Sequence, residues 1–167
     1  MKKIIIYLFF TIFISACFNS KKKYNDNLIT FQNLVSDINN FFIDSTDSNI
    51  KISDYYSDNF IFHSYTEGHK KGIKTFKKEY INGFNQMKKL NMSLNINHSI
   101  YLPGLDENSY KINGSVRSYY GATIKIDTAH IEFSGYQTIN FKNGQITGIW
   151  EWADYGGVQN KIKEYTQ

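Results

Sequence analysis

Apolar residues recur at three- and four-residue spacing at Leu28, Phe31, Leu34, Val35, Ile38, Phe41 and Phe42, with Gln32, Asn33, Asp37 and Asn39 between them. That period predicts an amphipathic helix with one wide apolar stripe. Asp44 to Asn49 is turn chemistry, Ile52 to Ser57 predicts a short second helix, and Phe60 to Tyr65 is rich in strand formers. Ile73, Phe76, Tyr80, Phe84 and Met87 form the stripe of a third helix, with Lys70, Lys71, Lys74, Lys78, Lys88 and Lys89 on its opposite face. A solvated face and a face against a membrane surface both fit those lysines. Gly83 inside this helix costs about 1 kcal/mol relative to alanine, which points to close packing there.

After Leu90 the period drops to two. Met92, Leu94, Ile96, His98 and Ile100 alternate with Asn91, Ser93, Asn95, Asn97 and Ser99, the pattern of a half-buried strand. Pro103-Gly104 predicts a turn, and Tyr110, Ile112, Gly114, Val116 and Tyr120 define the next strand up to a break at Gly121. Ile124 to Phe141 reads as strand with a kink near Ser134-Gly135. Asn143-Gly144 predicts a tight hairpin, Gln145 to Asp154 the last strand, and Gly156-Gly157 opens a polar tail. Helices gathered early and a meander late predict an α+β domain, with helices covering one face of a curved antiparallel sheet.

The first residues follow another logic. Lys2 and Lys3 precede the apolar run Ile4 to Ile14, whose eleven residues are too few to span a bilayer, which takes about 20. They match the apolar core of a secretory signal. The run ends in Ile14-Ser15-Ala16-Cys17, which resembles a bacterial lipobox, with small residues before the cut and a cysteine whose thiol takes a diacylglyceryl group. Residues 1–16 then read as a signal peptide, 17–27 as a lipidated Cys17 and a polar tether, and 28–160 as one domain. That assignment implies a bacterial cell-envelope protein, held on the periplasmic or cell-surface side of a membrane through the lipid on Cys17.

Composition sharpens this picture. The 167-residue chain carries a formal charge of +4, but five of its 19 basic residues flank the apolar run, leaving 14 against 15 acidic ones. Lysine outnumbers arginine 18 to 1, so the bidentate contacts of nucleic-acid readers have almost no supply, and no nucleic-acid partner is expected. Cys17 is the sole cysteine, so a mature chain that uses it as an anchor has no disulfide, thiolate metal site or cysteine nucleophile. No paired histidines, Gly-x-Ser-x-Gly elbow or glycine-rich phosphate loop occurs, and no cofactor or metal is expected.

Three segments then carry a resemblance. Tyr56-Ser57-Asp58-Asn59-Phe60, Gly72-Ile73-Lys74-Thr75-Phe76 and Phe141-Lys142-Asn143-Gly144-Gln145-Ile146, running on to Glu151-Trp152-Ala153-Asp154, are similar in order and spacing to the SnoaL-like polyketide cyclase and ketosteroid isomerase relatives of the nuclear-transport-factor-2-like superfamily. The resemblance covers roughly residues 28–158. It implies a cone-shaped domain, cystatin-like in its α+β plan, whose sheet and helices enclose an apolar pocket. Such folds host both enzymes and non-catalytic binding modules, so fold alone leaves function open.

By that resemblance Glu151, seven residues after Gly144, takes the place of the family's acid/base carboxylate, with glutamate where the family pattern has aspartate. Alternation leaves two cases: Glu151 faces the pocket with Ile149 and Ala153, which turns Trp150, Trp152 and Asp154 to the opposite face, where the tryptophans would mark an interface such as relatives use to form homodimers, or the tryptophans line the pocket and Glu151 is excluded from catalysis. The same alternation places His98 inward, as a core histidine or as a second acid/base group. Tyr56 and His63 are candidates for the pocket mouth, and His69 and His130 for the surface. Two functions stand open: a tethered module binding a small apolar molecule or a protein partner without catalysis, and a cyclase- or isomerase-like enzyme using Glu151 with His98 or a tyrosine.

Overall fold

The computed structural model describes residues 2–43, 51–66 and 68–166, with side chains for those between 20 and 165. The predicted turn at 44–49 and the side chain of Cys17 lie outside the described residues. Three helices, α1 (Lys2–Ile43), α2 (Lys77–Lys89) and α3 (Tyr155–Thr166), pack with six strands: β1 (Tyr56–Ser64), β2 (Ile73–Phe76), β3 (Met92–Leu105), β4 (Ile112–Ile126), β5 (Ala129–Lys142) and β6 (Gln145–Ala153). The strands form one curved, unclosed sheet in the order β2-β1-β6-β5-β4-β3. All pairs are antiparallel except β1 with β6, because β1 enters from the N-terminal half and runs alongside the last strand of the meander.

The predicted stripe on α1 is the backbone of the core: Phe31, Leu34 and Ile38 are buried against Val116, Ile139, Ile146 and Ile149 of the sheet. The helix also extends through the segment read as a polar tether. Tyr24 packs on this core, and the buried Asn27 donates from Nδ2 to the Gly114 carbonyl at 2.7 Å. The domain therefore engages α1 before residue 28. Among the described residues no helix is long and apolar enough to cross a membrane.

A short 3-10 turn, Ile52–Tyr55, realises the predicted second helix and is tied to α1 by Tyr55 Oη donating to Asp37 at 2.6 Å. The third helix starts later than its stripe predicts. Gly72, at φ 72°, opens the short strand β2 instead, and Ile73 and Phe76 lie exposed there, with Lys70, Lys71 and Lys74 outside the helix. Gly83 is not tightly packed, since a Cβ built on it meets nothing within 4 Å.

The meander departs from the sequence reading at four places. Pro103-Gly104 does not turn: β3 runs on to Leu105 through a register shift, and Gly104 lies against Ser115, which would collide with any Cβ there. The turn follows at Asp106, whose Oδ1 accepts from the Ser109 N–H at 2.8 Å. Gly121 does not break β4, which continues to Ile126, and the reversal comes at Asp127-Thr128 with Asp127 at φ 50°. Ser134-Gly135 pairs in unbroken register with Gly121 and Tyr120, so no kink forms. The hairpin at Asn143-Gly144 forms as predicted, both residues at positive φ.

The polar tail is a helix. Asp154 caps α3, its Oδ1 accepting the Gly157 N–H at 2.8 Å, and its carbonyl accepts the first helical bond from Val158. Val158 and Ile162 then pack on Ile124, Ile126 and Ile131, closing one end of the sheet's inner face.

Candidate functional site

The inner face of the sheet and the three helices line an open-ended cavity of about 420 Å³, a volume in the ordinary range for small-molecule sites. Its walls are mostly apolar, from Leu34 and Ile38 of α1, Phe84 of α2, Ile96 of β3 and Phe133 of β5. Its polar groups converge near β6, because Ile149, Glu151 and Ala153 alternate inward along that strand.

Glu151 is held by two phenols. Tyr155, the first residue of α3, donates from Oη to Glu151 Oε1 at 2.5 Å, and Tyr120 of β4 hydrogen-bonds to the same carboxyl group. Burial pushes the carboxyl above the ordinary glutamate range, opposed by these two donors. Among the described residues that line the cavity there is no lysine, arginine or histidine. The phenols are displaced upward in turn by burial and by Glu151, so they stay protonated donors throughout the physiological range.

Tyr120 can reach Glu151 because Gly135, its cross-strand partner, has no side chain: a Cβ there would lie 2.5 Å from Tyr120 Oη. Tyr80 of α2 and Tyr56 of β1 add two more phenols to the cavity. Tyr56 is 0% exposed, and burial, then the neighbouring Tyr80 phenol and Glu151, raise its pKa; its hydroxyl lacks a hydrogen bond of good geometry.

The other sequence candidates separate from this site. His98 is exposed on the opposite face, since a bulge between Ile96 and His98 inserts Asn97 and reverses the alternation, so that Tyr101 rather than His98 meets α1. Tyr56 lies deep in the cavity rather than at its mouth. His63 points outward and stacks on Trp150 at 4.9 Å, and burial and Lys74 lower its pKa. Trp150 and Trp152 also lie on the outer face, in a band that continues through Tyr65, Tyr136 and Tyr119. Trp152 and Tyr119 are 43% and 50% exposed, so this band is covered only in part. His69 and His130 are exposed.

Sequence reasoning missed Tyr120, Tyr80 and Tyr155 as site residues. The first two were legible as inward positions of a strand and a helix. For Tyr155 the available signal was the helical spacing of Tyr155, Val158, Ile162 and Tyr165 behind a capping aspartate, masked by Gly156-Gly157.

The raised carboxyl has a consequence for stability. Because its folded pKa lies above the unfolded value, the native state binds more protons between the two, and stability falls as pH rises through that interval. Glu151→Gln keeps an acceptor for Tyr155 and removes the titration. The variant is expected to match wild type near pH 4 and to melt above it at pH 8, as measured by thermal unfolding across pH. A parallel loss of stability in both proteins would show that Glu151 is not desolvated.

No family model matches this sequence, and no curated protein does. Among solved structures, AusH from Aspergillus nidulans superposes with a TM-score of 0.57 at 16% identity, covering 78% of this chain and 85% of that one. PrhC from Penicillium brasilianum gives 0.61 at 11% identity over 84% and 88%, and BvnE pinacolase from Penicillium brevicompactum 0.60 at 10% over 83% and 93%. The superpositions span most of both chains, and at such identities the agreement is one of fold. The domain has a SnoaL-like, nuclear-transport-factor-2-like fold.

Proposed function

We propose that this chain is a lipid-anchored pocket protein that binds a small molecule with an apolar body in the 420 Å³ cavity, its polar end at Glu151. The observation that carries the reading is a buried carboxylate, fixed by Tyr155 and Tyr120, at the polar end of an otherwise apolar cavity. The anchor rests on Ile14-Ser15-Ala16-Cys17, and it would hold the cavity close to a membrane, where apolar solutes concentrate. Native mass spectrometry of the full chain, purified from bacterial membranes, tests both parts. The wild type should carry a covalent lipid mass that Cys17→Ser lacks, and a non-covalent small molecule that Met87→Trp, which fills part of the cavity, excludes. A wild-type chain without lipid sinks the anchor, and one without bound molecule at any stage of purification sinks the pocket reading.

A second reading, proton transfer of the cyclase or isomerase type, is favoured by the grouping of phenols around the carboxylate. Glu151 would take a proton from a carbon next to a carbonyl, and the Tyr56 hydroxyl, which has no hydrogen bond of good geometry, would donate to the developing oxyanion. BvnE, described as a pinacolase, shares the fold, which makes catalysis in this cavity a physical option for this chain.

A further inference from the structure

The charge inventory of the cavity is one-sided. Glu151 lies inside it, Glu79 and Asp154 stand where α2 and α3 meet its edge, and among the described lining residues there is no lysine, arginine or histidine. The basic side chains close in sequence to the lining point elsewhere: Lys77 donates to the Tyr56 carbonyl at 2.6 Å and approaches the exposed Asp58, Lys88 donates to the Phe41 carbonyl at 3.0 Å, and Lys74, Lys78 and Lys125 are exposed. Around the carboxylate the walls are aromatic, with Tyr56, Phe62, Tyr80, Tyr120, Phe133 and Tyr155 all facing the space.

Each ligand class meets this arrangement differently. An anion would bring a second negative charge into a desolvated site that already holds one and has no donor cation. A neutral molecule leaves the burial cost of Glu151 in place. A cation supplies the missing counter-charge, and aromatic faces stabilise it further, more strongly when water is excluded. The buried Tyr56 hydroxyl, unpartnered by geometry, offers an acceptor for a cationic N–H.

We infer that the cavity is selective for an organic cation: an alkyl- or aryl-ammonium whose apolar body fills the space between α1 and the sheet and whose nitrogen pairs with Glu151. This inference rests on the pocket reading above and adds the sign of the ligand's charge.

A matched probe series separates the two. 4-Phenylbutylamine, 4-phenylbutanol and 4-phenylbutyrate share one apolar body and differ in head group. They would be titrated calorimetrically into the full chain held in zwitterionic lipid nanodiscs, with empty nanodiscs subtracted. The amine should bind at least tenfold tighter than the alcohol, and the carboxylate should show no heat. Glu151→Gln should cut amine affinity at least tenfold, while its thermal unfolding near pH 4 stays that of wild type, which confirms that the variant is folded. Alcohol binding as tight as amine binding, or amine binding unchanged in Glu151→Gln, overturns the cation inference while the pocket reading stands. Binding of none of the three overturns both.

Discussion

Asn39→Leu is expected to lower stability by about 3 kcal/mol, the cost of leaving two partly buried backbone groups without partners. The side chain of Asn39 donates from Nδ2 to the Ile96 carbonyl at 2.9 Å and accepts the Ile96 N–H at Oδ1 at 2.8 Å. β3 is an edge strand, so the outward-facing N–H and carbonyl of Ile96 have no further strand to pair with. The amide of Asn39 stands in for one residue of that absent strand, and it blocks the edge against pairing with another chain. Leucine has nearly the same shape and offers neither group. Chemical denaturation should show the loss, with a midpoint lower by roughly 6–12 °C in thermal scans. Asn33→Leu, an exposed change on the same helix, should stay within about 0.5 kcal/mol. A loss below about 1 kcal/mol for Asn39→Leu would mean that water replaces the amide without cost.

This clamp also explains where sequence reasoning ran out. The amphipathic stripe of α1 and the alternation of early β3 were both legible, because burial on one face imposes a period that survives in a single sequence. Asn39 was counted among the polar positions between apolar ones, and nothing in a helical period distinguishes a solvated asparagine from one that closes a sheet edge. One position further along the strand the same limit recurs. Asn97 is inserted as a bulge beside the clamped Ile96, and one inserted residue reverses the face of everything after it, so His98 leaves the cavity side and Tyr101 enters it. No residue type announces that bulge, since asparagine occurs elsewhere in the strand without one.

Glu151 was legible for the opposite reason. β6 has no register shift between Gly148 and Ala153, so a period of two carries from Ile149 through Glu151 to Ala153 without interruption. Of its two partners, Tyr120 was legible as an inward position of its strand, and Tyr155 was not. Tyr155 lies past two positions where glycine argues against helix, and the helix forms there because Val158 and Ile162 bury an apolar face that offsets the propensity cost. The turn at Asp127-Thr128 was hidden because it uses a non-glycine residue at positive φ, with no glycine or proline to mark it.

Gly135 is where the missed information has the largest functional weight, and Gly135→Ala tests it. The residue has an ordinary backbone conformation, so alanine meets no dihedral penalty, and its added methyl would lie 2.5 to 2.7 Å from Tyr120 Oη and two carbons of the ring. The ring is confined on its flank by Phe133, at 6.2 Å edge to face, so it cannot move aside freely. Alanine is therefore expected to cost about 1–3 kcal/mol through overpacking and to displace Tyr120 from Glu151. With that donor gone the carboxyl should titrate higher still, because Tyr120 is one of the two groups that hold its pKa down. The decline of stability with pH should accordingly extend to higher pH in the variant. A double-mutant cycle isolates the cause: in a Tyr120→Leu background the side chain that collides is absent, and Gly135→Ala should cost at least 1 kcal/mol less than in wild type. Equal costs in the two backgrounds would mean that the glycine is needed for the strand itself. A smaller cost in the leucine background would identify Gly135 as the space that lets a tyrosine reach the carboxylate, a role that a lone glycine in a strand pattern does not disclose.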